Sequence, residues 1–222
     1  MKQKEEKMGS DPLVFSNASN AFIYLYSYIS QEGVDYQNTK AIFNIGFYIE
    51  NPLDYIISDK KRKWSEEYAE YEWQWYLSGN KSAIDISKKA KIWKNHMDKS
   101  GNVNSNYGWH WKKNNQLEYV INELKRDKYS RRAGFTIFDA KDHLQYKYDT
   151  PCTYFIQFYV INEKLNINVM MRSNDLWYGF CNDQYCWSKL LQCIANKLNM
   201  GIGMYYHFAN NLHVYNSKLN KL

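Results

Sequence analysis

Apolar positions recur at helical spacing in some stretches of the chain and alternate or run together in others. From about Ser16 to Ile29 the residues Phe22, Ile23, Tyr26 and Ile29 mark one face of a helix, with Ser or Asn available as its cap. Lys63 to Leu77 reads as a long helix stopped near Gly79. Asn115 to Lys128 sets Leu117, Val120, Ile121 and Leu124 on one side, the pattern of an amphipathic helix. In Tyr185 to Leu198 the residues Leu190, Leu191, Ile194, Ala195 and Leu198 join Cys193 in a helix read as buried. Strand character falls on Lys40 to Glu50, which closes at Asn51-Pro52, and on Thr153 to Val160 and Leu165 to Arg172, joined by a hairpin turn at Ile161-Asn162-Glu163-Lys164. Tyr205 to Tyr215 supplies one or two further strands. The mixture predicts an α+β fold with helices packed on a sheet, and no internal repeat interrupts it.

Composition narrows the picture only in part. No Pro/Gly/Ser-rich stretch divides the 222 residues, so residues 13–222 read as a single domain behind a polar, poorly ordered arm over residues 1–12. Aromatic residues make up 18% of the chain, with 21 Tyr and 8 Trp, which supplies the apolar area for one sizeable core. The net charge of +6 fits either solvated lysine faces, such as Lys60-Lys61-Arg62-Lys63, or a basic pocket for an anionic small substrate. A nucleic-acid stripe is not expected from these clusters. No apolar run approaches the roughly 20 residues needed to span a bilayer, and the N-terminus lacks a signal-peptide core, so the expectation is a soluble, cytoplasmic protein.

The thiols and charged groups open the chemistry. Cys152, Cys181, Cys186 and Cys193 form no Cys-x-x-Cys pair and no usual zinc spacing, so reduced thiols and no metal site are expected. Cys181, Cys186 and Cys193 are read as buried structural thiols. Cys152 is either another small hydrophobe or a nucleophile; a thiolate near neutral pH needs positive potential, which Arg172 can provide. Asp183 is either a helix N-cap before Tyr185 or a ligand-facing carboxylate. Arg131-Arg132 is an exposed charge pair or a phosphate fork. His213 and Tyr215 alternate along a strand and project to one face, as a packed pair or as paired polar tips. Glu72, on a helix, is by itself a solvated carboxylate.

The ordered set Ser130-Arg131-Arg132, Pro151-Cys152, Gln157-Phe158-Tyr159-Val160, Arg172-Ser173-Asn174-Asp175, Gly179 and His213-Val214-Tyr215 resembles the thymidylate synthase family, with Glu72 to Gly79, Ile92-Trp93 and Tyr107-Gly108 extending the likeness from about Asp35 to Tyr215. The resemblance implies a large mixed β-sheet covered by helices and a sheet-mediated homodimer. It also implies 5,10-methylenetetrahydrofolate as co-substrate, no metal, and a pyrimidine deoxynucleoside monophosphate as acceptor. In that reading Cys152 adds to pyrimidine C6 and Glu72 organises water and proton transfers. Arg172 and Ser173 hold the phosphate from the same subunit, and Arg131 and Arg132 reach the partner's phosphate. His213 and Tyr215 hold the ribose hydroxyl, Tyr107 joins the nucleotide site, and Asp175, Trp93 and Gly179 line the folate side.

Within the superfamily, Asn104-Ser105-Asn106-Tyr107-Gly108-Trp109, Met171 to Asp175 and Gly179-Phe180-x-Asn182-Asp183 are similar to the phage deoxycytidylate hydroxymethylases. Thr153 stands where the synthases usually carry His, and Met171 where they carry Gln. Asp183 stands where they carry an Asn that pairs with uracil. An ionised carboxylate only accepts, which suits the cytosine 4-amino group, and a protonated one also donates to N3. The resemblance therefore implies catalytic service by Asp183 on dCMP in preference to dUMP, and hydration to 5-hydroxymethyl-dCMP, a product associated with phage DNA modification. The alternatives are hydroxymethylation of dUMP, methylation of dUMP, and a catalytically silent nucleotide- or RNA-binding relative. Tyr36 replaces the family's mobile-loop arginine, with Lys40 as a candidate substitute phosphate ligand. His96 replaces a second Trp, and the chain ends at Leu222 without the family's closing tail, an expectation that favours hydration over hydride transfer.

Overall fold

In the computed structural model, which describes residues 12–222, a mixed sheet runs through the molecule and helices pack on one of its faces. The elements in chain order are β1 (Leu13–Phe15), α1 (Ala18–Glu32), β2 (Val34–Tyr36), β3 (Thr39–Ile49), α2 (Glu66–Ser78), α3 (Ile86–Lys89), α4 (Trp93–His96), α5 (Tyr107–Lys112), α6 (Gln116–Arg126), β4 (Gly134–Thr136), β5 (Thr153–Ile161), β6 (Lys164–Met171), β7 (Asn174–Asp175), α7 (Cys181–Leu198) and β8 (Gly201–Tyr215). The sheet follows the order β1-β3-β8-β6-β5-β4, with β2 paired to β3 and β7 to β8. The arm expected over residues 1–12 lies, apart from Pro12, outside the described residues.

Helix α1 starts where Asn17 accepts the amide of Asn20 at 2.9 Å, a side-chain cap for one of the orphan donors of the first turn. Its buried stripe of Ala18, Ala21, Phe22, Leu25, Tyr26 and Ile29 packs on the sheet. Helix α2 begins at Glu66 rather than Lys63, because Ser65 caps it by accepting from the Tyr68 amide at 3.1 Å, and it ends at Gly79. The predicted helix over Asn115–Lys128 is α6, and the predicted hairpin is β5–β6, in register from Val160↔Leu165 to Ile156↔Val169.

Alternation along the central strands divides the sheet's two faces. Phe47 and Ile49, Ile156 and Phe158, Ile167 and Val169, and Tyr205 and Ala209 point into the helices and are essentially inaccessible. Helix α7 closes this layer with Trp187, Leu190, Leu191 and Ile194. The opposite face, including Tyr48, Gln157, Tyr159, Asn168 and Tyr206, is uncovered and half-exposed, with Tyr48 and Tyr206 rings 4.7 Å apart.

The structure amends three expectations. The segment predicted to hold one or two strands is a single strand from Gly201 to Tyr215. Helix α7 starts at Cys181, after a π-helical turn at Leu176–Phe180, so Asp183 lies inside its first turn and is not its N-cap. Of the thiols read as buried, Cys181 and Cys186 are, but Cys193 is exposed near the far end of α7. Among the described residues no helix is long and apolar enough to cross a membrane.

Candidate active site

Strand pairing assembles the site. Cys152 immediately precedes β5; its carbonyl accepts the Arg172 amide at 2.9 Å, which extends the β5–β6 ladder by one rung past Thr153↔Met171. The chain then leaves β6, and β7 runs beside the end of β8, with Asn174 opposite Leu212 and Asp175 opposite His213. One end of the central strands thus gathers Cys152, Arg172, Ser173, Asp175, His213 and Tyr215, residues far apart in sequence. The first turn of α7 adds Asp183 from above.

Cys152 is half-buried and its Sγ lies 3.8 Å from Arg172 Nη2. The guanidinium is anchored on the loop that carries the thiol: Nε donates to Pro151 O at 3.0 Å and Nη2 to Thr150 O at 2.8 Å. Burial nevertheless pushes the thiol up to about 11, since desolvation outweighs the arginine and the charges of Asp183, Asp149 and Asp175 act in the same upward direction. The proximity expected of Arg172 and Cys152 is present, while the resting sulfur in the free chain is a thiol.

Asp183 is buried and its Oδ2 accepts from Asn174 Nδ2 at 2.8 Å. Burial first, then the charges of Glu72 and Asp175, raise its carboxyl to about 8 against the single hydrogen bond from Asn174. Gly179 lets this pair meet, because a side-chain Cβ there would lie 3.0 Å from Asn174 Nδ2 and 3.3 Å from Asp183 Oδ2. Among the described residues the buried Asn174 Oδ1 has no hydrogen-bond partner, and neither has the buried hydroxyl of Thr153. Each such atom carries a desolvation cost that a bound polar group can relieve.

Glu72 is buried on α2 rather than solvated. Burial raises its carboxyl above the usual range, opposed by the hydroxyl of Tyr76, which donates to it at 2.8 Å one helical turn away. Trp93 joins this side through Tyr68: its indole N–H donates to the Tyr68 hydroxyl at 2.9 Å, and the Glu72 charge bears on that tyrosine. Tyr107 opens α5, stacked on Trp187 at 5.2 Å between ring centres, and is buried within electrostatic range of Asp183 and Cys152. Its position follows from Asn106, whose Oδ1 accepts the Trp109 amide and whose Nδ2 donates to Trp75 O and Asn80 O, tying α5 to the end of α2.

Asp175 accepts the Trp177 amide at 2.9 Å, and burial raises its carboxyl to about 6 against that bond. Its donor-accepting edge has the chemistry that adjacent N–H groups of an aminopyrimidinone ring, the pterin part of a folate, would take, so the residues present fit such a group. His213 is buried, its Nδ1 2.8 Å from Asn211 Oδ1, and burial lowers its imidazole below the ordinary range. Its ring meets that of Tyr215 edge to face at 5.4 Å, so the two are a packed pair, and a Cys152 thiolate would bear electrostatically on Tyr215.

Arg131 and Arg132 are not brought to this cluster. They are exposed in the loop before β4, where Gln157 Nε2 donates to Arg131 O and the Phe158 amide donates to Ala133 O. That registers the pair with the far half of β5, about 20 Å along the strand from Cys152 at roughly 3.3 Å per residue, beyond the length of an arginine side chain. Lys40 donates to Ser30 O at 3.2 Å on the β2–β3 side. Asn174, Tyr76 and Tyr68 were not singled out in the sequence; Asn174 lay unassigned inside a quoted motif, and the tyrosines acquire roles only once α2 and α4 are packed.

The profile of the family described as thymidylate synthase matches residues 22–222. The deoxycytidylate 5-hydroxymethyltransferase of Enterobacteria phage T4 is 36% identical over 148 residues, 62% of this chain, and the chain spans only 59% of that relative's length. The thymidylate synthase of Bacillus atrophaeus is 29% identical over 177 residues, 75% of this chain and 77% of that protein. Among solved structures, thermostable thymidylate synthase A from Bacillus subtilis superimposes with a TM-score of 0.74 over 91% of this chain and 81% of the other, at 22% identity, a likeness of fold. With the family profile matching residues 22–222, nearly the whole described chain, this protein belongs to the thymidylate synthase family.

Proposed function

We propose that the protein transfers a one-carbon unit to C5 of a pyrimidine deoxynucleoside monophosphate, with Cys152 as the nucleophile and dCMP as the preferred acceptor. The observation that carries the base preference is the buried Asp183–Asn174 pair. A carboxyl raised to about 8 is protonated at neutral pH, so one oxygen can donate to cytosine N3 while the carboxyl also accepts from the 4-amino group. Uracil presents an N3–H donor and an O4 acceptor instead. The unpaired Asn174 Oδ1 offers a second acceptor beside it.

The chemistry follows from the residues in place. Sulfur attack at C6 turns the conjugated ring into an enamine whose C5 is nucleophilic. The Cys152 proton must leave first, and Arg172 at 3.8 Å stabilises the thiolate as it forms. 5,10-Methylenetetrahydrofolate supplies the one-carbon unit when bound, with Asp175 and the wall of Trp93 as its holders. Loss of the C5 proton and expulsion of the cysteine sulfur restore the protein; Glu72, buried and raised, is placed to hold a proton and a water. With water as the final addend, dCMP, methylenetetrahydrofolate and water balance against 5-hydroxymethyl-dCMP and tetrahydrofolate. The buried orphan hydroxyl of Thr153, next to the nucleophile, is a ready partner for such a water.

A second reading, methylation of dUMP, is favoured by the synthase relatives that cover 75% of the chain. Incubating the protein with methylenetetrahydrofolate and each nucleotide separates the readings. Hydroxymethyl-dCMP by product mass, without formation of dihydrofolate, is the expected result; a methylated product with dihydrofolate would assign the synthase reaction instead.

The uncovered sheet face supports a homodimer. Aromatic and amide side chains lie half-exposed there on four adjoining strands, around a depression of about 560 Å³ that includes Arg131. Such a dimer lets Arg131 and Arg132 serve the partner's phosphate site, since their own thiol is out of reach. Size-exclusion chromatography with light scattering at micromolar concentration reads the state directly.

A further inference from the structure

Helix α6 carries an anomaly on its core-facing side. Val120, Ile121 and Leu124 are buried there, and so is Glu123, a carboxylate whose side chain is 8% exposed. It is not solvated, it is not near Cys152 in the fold, and none of the chemistry above uses it. Hydrogen bonds from its partners outweigh the desolvation and keep it ionised, so those partners account for its place at the edge of the apolar stripe.

Glu123 is held by Arg126 on its own helix and reaches the arginine loop through Ser130. Its Oε1 accepts the Ser130 hydroxyl at 2.5 Å, and its two oxygens accept Arg126 Nε at 3.1 Å and Nη2 at 2.7 Å. These partners hold its carboxyl below the usual carboxylate range, with Arg126 the larger cause and Ser130 next. The Ser130 oxygen in turn accepts the backbone amide of Arg132 at 3.2 Å. The other side of the loop is fixed by Gln157 on the Arg131 carbonyl at 3.0 Å. The backbone of Arg131 and Arg132 is thereby clamped between α6 and β5, while both guanidinium groups stay exposed and, among the described residues, make no ion pair.

We infer that Glu123 is a positioning residue for nucleotide binding that acts across the dimer. Through Ser130 it fixes the loop that aims Arg131 and Arg132 at the phosphate bound by the partner subunit. This rests on the reading of a shared phosphate site. Planar guanidinium groups bind phosphate by bidentate geometry, so loosening their backbone weakens ground-state binding while leaving the thiol and its surroundings intact.

The test uses full-length dimers. Glu123→Leu keeps an apolar helix face and removes both acceptors; it is expected to raise KM for dCMP about tenfold with kcat within about twofold, while Glu123→Gln, which can still accept from Ser130, rescues most of the effect. The decisive readout is a tagged hybrid of one Glu123→Leu chain and one Cys152→Ala chain. Its only working thiol sits in the Glu123→Leu subunit and receives arginines from the chain with Glu123 intact, so its KM should return to that of the unaltered dimer. A control hybrid of Arg132→Ala with Cys152→Ala should recover KM for the same reason. If the control recovers and the Glu123→Leu hybrid does not, Glu123 acts within its own subunit and the inference fails alone. If the control also keeps a raised KM, the shared-site reading fails and takes the inference with it. An unaltered KM in the Glu123→Leu homodimer likewise overturns it.

Discussion

Asp183 sits in a low-dielectric site under the charges of Glu72 and Asp175, and its carboxylate accepts a hydrogen bond from Asn174. Its carboxyl is raised from about 4 to about 8, so the folded chain keeps a proton that the unfolded chain releases as pH climbs between those values. Stability associated with this group is therefore undiminished below about pH 4, falls through that window and is constant above about pH 8. Asp183→Asn removes the penalty: the variant should gain stability relative to the parent by on the order of 5 kcal/mol near pH 8 and by almost nothing near pH 4, read from urea midpoints at the two pH values. It should also move the ratio of kcat/KM values toward dUMP by on the order of 100-fold, because an amide pairs with N3–H and O4. An unchanged ratio would remove Asp183 from base recognition. The identity of this residue was legible in the sequence through its flanking motif, but its protonation was not, because neither Glu72 nor Asn174 is placed against it until α2, β7 and α7 meet. Cys152 shows the same limit: Arg172 lies where expected, yet burial outweighs it, and burial is not written in the local sequence.

At the scale of elements, long periodic segments declared themselves and short ones did not. α1, α2, α6, β5 and β6 follow from apolar spacing and caps, whereas α3 and α4 have four residues each and show no complete face. Helix α7 starts four residues before the Tyr185 expected from apolar spacing, because Leu176–Phe180 turn as a π-helix that leads straight into it and carries Asp183 into its first turn. Element contacts also explain a residue quoted only as part of a motif. Gly108 in α5 faces the end of α2, where a Cβ would come 1.5 Å from the carbonyl oxygen of Tyr76. No rotamer relieves a clash with backbone, so the two helices must separate. Gly108→Ala should cost at least about 3 kcal/mol by chemical denaturation and, by shifting Tyr107 away from Trp187, depress activity beyond the loss of folded protein. Near-wild-type stability would mean that α5 does not approach α2 this closely.

The whole molecule is a sheet with one face committed to its own helices and the other free. Fold class and the thiol cluster could be read from sequence because their motifs hold a fixed order along the chain; that Gln157 and Tyr159, inside one of those motifs, belong to a free face is visible only from strand register, where Tyr206 pairs with Tyr48 on one side and Asn168 on the other. Arg131 and Arg132 border that face, far along β5 from Cys152, so assembly and nucleotide binding are one problem in this reading. Tyr206→Asp tests the link. The side chain is half-exposed in the single chain, so a carboxylate there remains solvated and the fold should survive with an unchanged far-ultraviolet spectrum. In a sheet-to-sheet dimer two such carboxylates would be buried near the seam without partners, a cost of several kcal/mol. Sedimentation should then show a monomer at micromolar concentration, and affinity for dCMP should fall at least as far as in Arg131→Ala, because no partner arginine arrives. A monomeric Tyr206→Asp protein that binds dCMP as tightly as the parent would show that each chain carries a complete site.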